Sequence, residues 1–169
     1  IDDIEISRTP SCFKPASVTV NSTTYNSVNF SWVESGHGET EWQYTVVAAG
    51  ATPSSWTNTT TQSAPVDNLT TGTAYEVCVR SYCAEEDQSD FIRSTSFTPT
   101  CQVPTAVAVS GITNNSAVVA WTANNGESKW NIQYKKGTGA WETIENVTVN
   151  PYTLTGLDAN SSYTVQVAC

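Results

Sequence analysis

Leu69-Thr-Thr-Gly-Thr-Ala-Tyr75-Glu-Val-Cys-Val79 and Leu157-Asp-Ala-Asn-Ser-Ser-Tyr163-Thr-Val-Gln-Val167 are two versions of one stretch, 88 residues apart. In each, a run of turn residues leads to a tyrosine, and apolar residues then alternate. Tyr75, Val77 and Val79 share one face; so do Tyr163, Val165 and Val167. A period of two marks a strand with one side turned to a core. Nearly the same offset relates Cys12-Phe-Lys-Pro15 to Cys101-Gln-Val-Pro104, Asn29-Phe-Ser-Trp32 to Val118-Val-Ala-Trp121, and Glu41-Trp42 to Lys129-Trp130. A period this long means a duplicated domain, because solenoid units are shorter.

Outward from these anchors the pattern holds. Ser17 to Val20 alternates, Val28, Phe30 and Trp32 share a face, and so do Trp42, Tyr44 and Val46. The second copy offers Ala106 to Val109, Val118 to Trp121, and Trp130, Ile132 and Tyr134. Each run is short and bounded by Gly, Asn, Ser or Pro, which is the signature of an all-β sandwich of antiparallel sheets. Charged residues are only 14% of the 169, and Thr, Ser and Asn take their place, a composition that favours strands and turns.

The residues that carry both copies resemble a fibronectin type III domain. They are a Pro before the first strand (Pro15, Pro104), a Trp ending the second (Trp32, Trp121), an aromatic in the third (Trp42, Trp130), and the Leu-to-Tyr stretch before the sixth. The resemblance implies two tandem immunoglobulin-like β-sandwiches, with Tyr75 and Tyr163 as tyrosine-corner residues. It places module 1 at residues 11–99 and module 2 at 100–169. Module 1 is expected to hold seven strands, the last at Phe91 to Phe97, whereas module 2 is expected to lack its last (G) strand, leaving strand F as an open edge. Residues 1–10, where Ile1, Ile4 and Ile6 alternate with acids, read as the tail of a preceding domain or an extra strand. The two prolines of Pro99-Thr-Cys-Gln-Val-Pro104 imply a short, stiff junction. The Asn/Thr-rich style and Cys-x-x-Pro openings are similar to modules of bacterial surface proteins.

The chain has five cysteines. In the fold implied, strand A begins and strand F ends at one pole in opposite sheets. This implies disulfides Cys12–Cys83 and Cys101–Cys169, each closing a loop of about 70 residues worth roughly 4 kcal/mol. Cys78 is out of register with them; it should face outward as a free thiol. Such cystines fit a secreted or cell-surface protein.

A net charge of −9 with no basic cluster argues against nucleic acid. No apolar run approaches the ~20 residues of a membrane span. The single His37, on a Gly-flanked loop, has no nucleophile elbow to serve and no Cys/His spacing for zinc, so neither a catalytic site, a metal site nor a cofactor is expected. Acids gather in two loops expected at one pole: Glu34, Glu39 and Glu41 in the B–C loop, and Glu85, Glu86, Asp87 and Asp90 in the F–G loop, with Asp2, Asp3 and Glu5 nearby. They form a candidate cation or basic-partner site. Trp56 and Trp141, near the C′ strand, are the candidate ligand platform. The expected function is a non-catalytic spacer or adhesion-type module that positions neighbouring domains of the same polypeptide. The alternative is a module that binds protein or glycan.

Overall fold

The computed structural model describes residues 12–169. The expectations placed on Ile1, Ile4, Ile6, Asp2, Asp3 and Glu5 lie outside the described residues. The chain divides between Pro99 and Thr100 into two compact units. Among the described residues there is no helix, so none is long and apolar enough to cross a membrane.

The first unit packs two antiparallel sheets face to face. One orders β1 (Ser17–Thr23), β2 (Val28–Val33) and β5 (Ser63–Val66) as β1-β2-β5. The other orders β4 (Thr57–Thr59), β3 (Trp42–Ala48), β6 (Tyr75–Ala84) and β7 (Asp87–Gln88) as β4-β3-β6-β7, and β8 (Ile92–Arg93) also pairs with β6. Alternation sends Val28, Phe30 and Trp32 of β2 inward against Trp42 of β3, Ala64 of β5, and Val77 and Val79 of β6. The strand expected at Phe91 to Phe97 is shorter, and Asp87–Gln88 forms a separate short strand before it. Of Phe91 to Phe97 only Ile92–Arg93 runs as strand, because Ser94 supplies its hydroxyl where a carbonyl would serve: Val77 N–H donates to Ser94 Oγ at 3.0 Å. Pairing resumes at Phe97, which bridges Tyr75.

The second unit repeats the plan with six strands. One sheet orders β9 (Thr105–Ser110), β10 (Ser116–Thr122) and β13 (Tyr152–Thr155) as β13-β10-β9. The other orders β11 (Trp130–Lys136), β12 (Glu142–Val147) and β14 (Tyr163–Ala168) as β12-β11-β14. Val119, Trp121, Trp130, Ile132, Val147, Leu154 and Val167 make its core. The two inward tryptophans meet edge to face in both units. The rings of Trp32 and Trp42 lie 6.1 Å apart, those of Trp121 and Trp130 5.3 Å apart. β9 differs from its counterpart, since none of its six residues is covered.

Candidate functional site

The loop between the second and third strands carries Glu34, Glu39 and Glu41 in unit 1 and Glu127 in unit 2, and it holds the same device in both units. In unit 1, Gly36 and Gly38 adopt φ of 90° and 88°, conformations open to glycine. The turn they make lets Glu34 Oε1 accept the N–H groups of His37 (2.6 Å) and Gly38 (2.7 Å). Those donors, Gly38 first, hold the Glu34 carboxyl at about 2. Glu39 reaches the other way: its Oε1 accepts the Phe13 N–H at 3.0 Å, and Ser35 Oγ donates to its Oε2 at 3.5 Å. Phe13 in turn stacks on His37, ring centroids 3.7 Å apart.

In unit 2, Glu127 Oε1 accepts the Gln102 N–H at 2.8 Å, and its Oε2 accepts those of Asn124 (3.1 Å) and Asn125 (2.8 Å). Phe13 follows Cys12 as Gln102 follows Cys101, and each glutamate stands three residues before the third-strand tryptophan. A carboxylate thus clasps the backbone beside the strand-A cysteine twice over, half-buried as Glu39 in unit 1 and buried as Glu127 in unit 2. Glu127 is only 5% exposed. Burial alone would raise its carboxyl, but the N–H donors outweigh it and hold the group below the ordinary value.

This changes what the acidic residues can do. Glu34 already accepts backbone N–H groups of its own loop, and Glu39 accepts the Phe13 N–H and the Ser35 hydroxyl. Glu85 and Glu86 are exposed, Asp87 is half-buried in β7, and Asp87 and Asp90 border an open hollow of about 420 Å³ with Phe13 and Lys14. Among the described residues, the one group of three converging donors is Cys101, Cys169 and Glu127. Its two sulfurs are joined to each other, leaving no thiolate to offer a metal. Glu127 was not singled out from the sequence. The signal was present in the repeat, where Glu39-Thr-Glu-Trp42 answers Glu127-Ser-Lys-Trp130.

Disulfides link Cys12 to Cys83 and Cys101 to Cys169, with Cα atoms 5.8 and 6.2 Å apart. Cys78 is a free cysteine. It lies off the core face, in parity with Glu76 and Arg80, but it is not at the surface: its exposure is 0%. The expectation of an outward thiol therefore needs correcting. The outer face of β6 is itself covered. Arg93 pairs opposite Cys78 and its guanidinium holds Glu76 at 2.7 Å, while Arg80 lies over the Trp56 ring at 4.4 Å. Phe91 lies tilted beside Trp56, ring centroids 5.9 Å apart, and Arg93 lies 5.1 Å from the Phe91 ring. Burial pushes the Cys78 thiol up; Arg93 pulls it partly down again and Glu76 adds to the rise.

Trp56 is thus half-buried between Arg80, which lies over its ring, and the tilted ring of Phe91. Trp141 is 40% exposed, and Lys135 lies over its ring at 4.7 Å. Tyr75 Oη accepts the Thr70 N–H at 3.1 Å, and Tyr163 Oη accepts the Asp158 N–H at 3.0 Å, both five residues upstream. The Thr70 donor lowers the Tyr75 phenol below its ordinary value.

The family profile described as fibronectin type III domain matches residues 13–95 and again 102–169. Among curated protein sequences none matches the chain. Among solved structures, a two-domain fibronectin type III segment of chicken tenascin is similar over 92% of this chain and 90% of its own length, with 19% identity and a TM-score of 0.50. The central fibronectin III array of RIM-binding protein is 18% identical with a TM-score of 0.41; the match covers 96% of this chain and 60% of the array.

Proposed function

The chain belongs to the fibronectin type III family, and from that premise we propose that it is a non-catalytic spacer or adhesion-type segment of a larger secreted or cell-surface protein. The bacterial surface-protein style of its Cys-x-x-Pro openings supports placing it among such modules. In this reading residues 11–99 and 100–169 are the two modules, and their partners are the neighbouring domains of the same polypeptide. The observation that carries the reading is the repeated fastening at one end of each module. A cystine ties strand A to the end of strand F, and a glutamate from the B–C loop clasps the residue beside it. Polar groups that could serve a ligand are used instead to hold the chain's own backbone, which suits a part that transmits position and load.

A second reading is favoured by the Arg80–Trp56–Phe91 cluster, which sets two aromatic rings beside Arg80 and Arg93 on the outer face of β6 in unit 1. That face would bind a glycan or a protein loop by stacking. Trp141 beside Lys135 would be a smaller version of it. Binding of the purified chain to broad glycan and protein arrays separates the readings. The spacer predicts a blank. A specific hit lost in Trp56→Ala and kept in Trp141→Ala assigns binding to the unit 1 cluster.

A further inference from the structure

Three separate segments of unit 2 bring donor atoms to one point. Cys101 precedes β9, Glu127 lies in the loop before β11, and Cys169 follows β14. The two sulfurs and a Glu127 carboxylate oxygen all lie within 4.8 Å of one another. In the cystine the sulfurs bind each other. A chain is made with thiols, so a dithiol form of the same three residues precedes the cystine.

In the dithiol form the cluster is a ligand set. Thiolates favour zinc and related soft cations. Tetrahedral zinc, with bonds of about 2.3 Å to sulfur and about 2.0 Å to oxygen, needs donors roughly 3.5–3.8 Å apart, which is inside the spread of this cluster. Glu127 is prepared for the third position. A carboxylate offers about four lone pairs. Gln102, Asn124 and Asn125 N–H groups take three of them, and one remains. The same donors fix the orientation of the carboxylate, as the outer partners of metal ligands do. Glu127 is buried, yet among the described residues no Lys, Arg or His forms an ion pair with it. A buried charge is costly without an opposite one, and a bound cation would supply it. Unit 1 is the internal control. Its Glu39 clasps the Phe13 N–H in the same way, but among the described residues no such group of three forms with Cys12 and Cys83.

We propose that the dithiol form of unit 2 binds one zinc-class divalent cation through Cys101 Sγ, Cys169 Sγ and a Glu127 oxygen, with a water completing the tetrahedron. Each thiol gives its proton to solvent as its metal–sulfur bond forms. Joining the sulfurs removes both thiolates, so metal and cystine are alternative fasteners of the same three segments.

The test uses the full chain, reduced with a phosphine, and cobalt(II) as a coloured substitute for zinc. One equivalent should bind, with thiolate-to-cobalt charge transfer and tetrahedral visible bands, and zinc should displace it. Cys101→Ser should remove the bands, and Cys12→Ser/Cys83→Ser should leave them. Glu127→Gln should weaken binding roughly tenfold or more, whereas Glu39→Gln should not. In the unmutated reduced chain, zinc should slow amide exchange in unit 2 and leave unit 1 unchanged. Bands that survive Cys101→Ser, an affinity unmoved by Glu127→Gln, or zinc that protects neither unit overturns the proposal. So does cobalt bound equally tightly by the reduced chain in urea, since the fold would then contribute no site.

Discussion

Glutamine at position 127 would keep the reach of the clasp but offer a single carbonyl oxygen to three N–H groups, without charge. Hydrogen bonds to a charged, buried group are worth more than neutral ones, so Glu127→Gln should cost unit 2 about 1–3 kcal/mol in urea unfolding. Glu39→Gln should cost unit 1 less, because Glu39 is only half-buried and takes one backbone donor. The same groups set an acid response. Glu34 and Glu127 are held below the ordinary carboxylate value in the folded chain. Their contribution is therefore complete above that value and lost as pH falls through the folded one. For Glu34 the window runs from 4.5 down to about 2, and a carboxyl carbon titration should find its midpoint at the lower end. Glu34 and Glu39 also show where reading residues alone stops. A carboxylate count in a loop is visible in the sequence, but the N–H groups that claim those oxygens depend on how the loop curls. Cys78 teaches the same thing from the other side. Parity correctly takes it off the core face, but its burial depends on Arg93 and on an outer face capped by Trp56, Arg80 and Phe91. The buried, raised thiol should ignore a thiol reagent such as Ellman's reagent at pH 8 in the folded chain. It should react as one equivalent when the chain is unfolded without reductant.

Strand identity was largely legible, because period-two runs such as Val28-Phe30-Trp32 and Trp130-Ile132-Tyr134 admit one inward face. The extent of β8 was not, since nothing in Phe91 to Phe97 says that Ser94 will stand in for a carbonyl and interrupt it. Removing that hydroxyl tests the point. Ser94→Ala leaves the buried Val77 N–H without its acceptor and should cost about 1–3 kcal/mol, with faster exchange of the Val77 amide. The turn before the sixth strand makes a paired test. Tyr75→Phe and Tyr163→Phe each delete the acceptor for one upstream N–H in a solvent-accessible turn, and each should lower stability by about 0.5–1.5 kcal/mol. A larger loss in one copy would mean that the hydroxyl there has a further partner.

At the scale of the whole chain, each unit carries its own cystine, with separations of 71 and 68 residues. Reduction should therefore weaken the two units by similar amounts, roughly 4 kcal/mol each if chain entropy dominates. Cys12→Ala/Cys83→Ala should weaken unit 1 and leave the exchange protection of unit 2 amides unchanged. The edge-to-face tryptophan pair at the centre of each unit has an optical consequence as well. Two indoles 5.3 or 6.1 Å apart and nearly perpendicular are close enough for their electronic transitions to mix. Each unit should then contribute its own split circular-dichroism band near the indole absorption. Trp42→Phe should erase one contribution and Trp130→Phe the other, giving each domain a spectroscopic clock that reports when its centre comes apart.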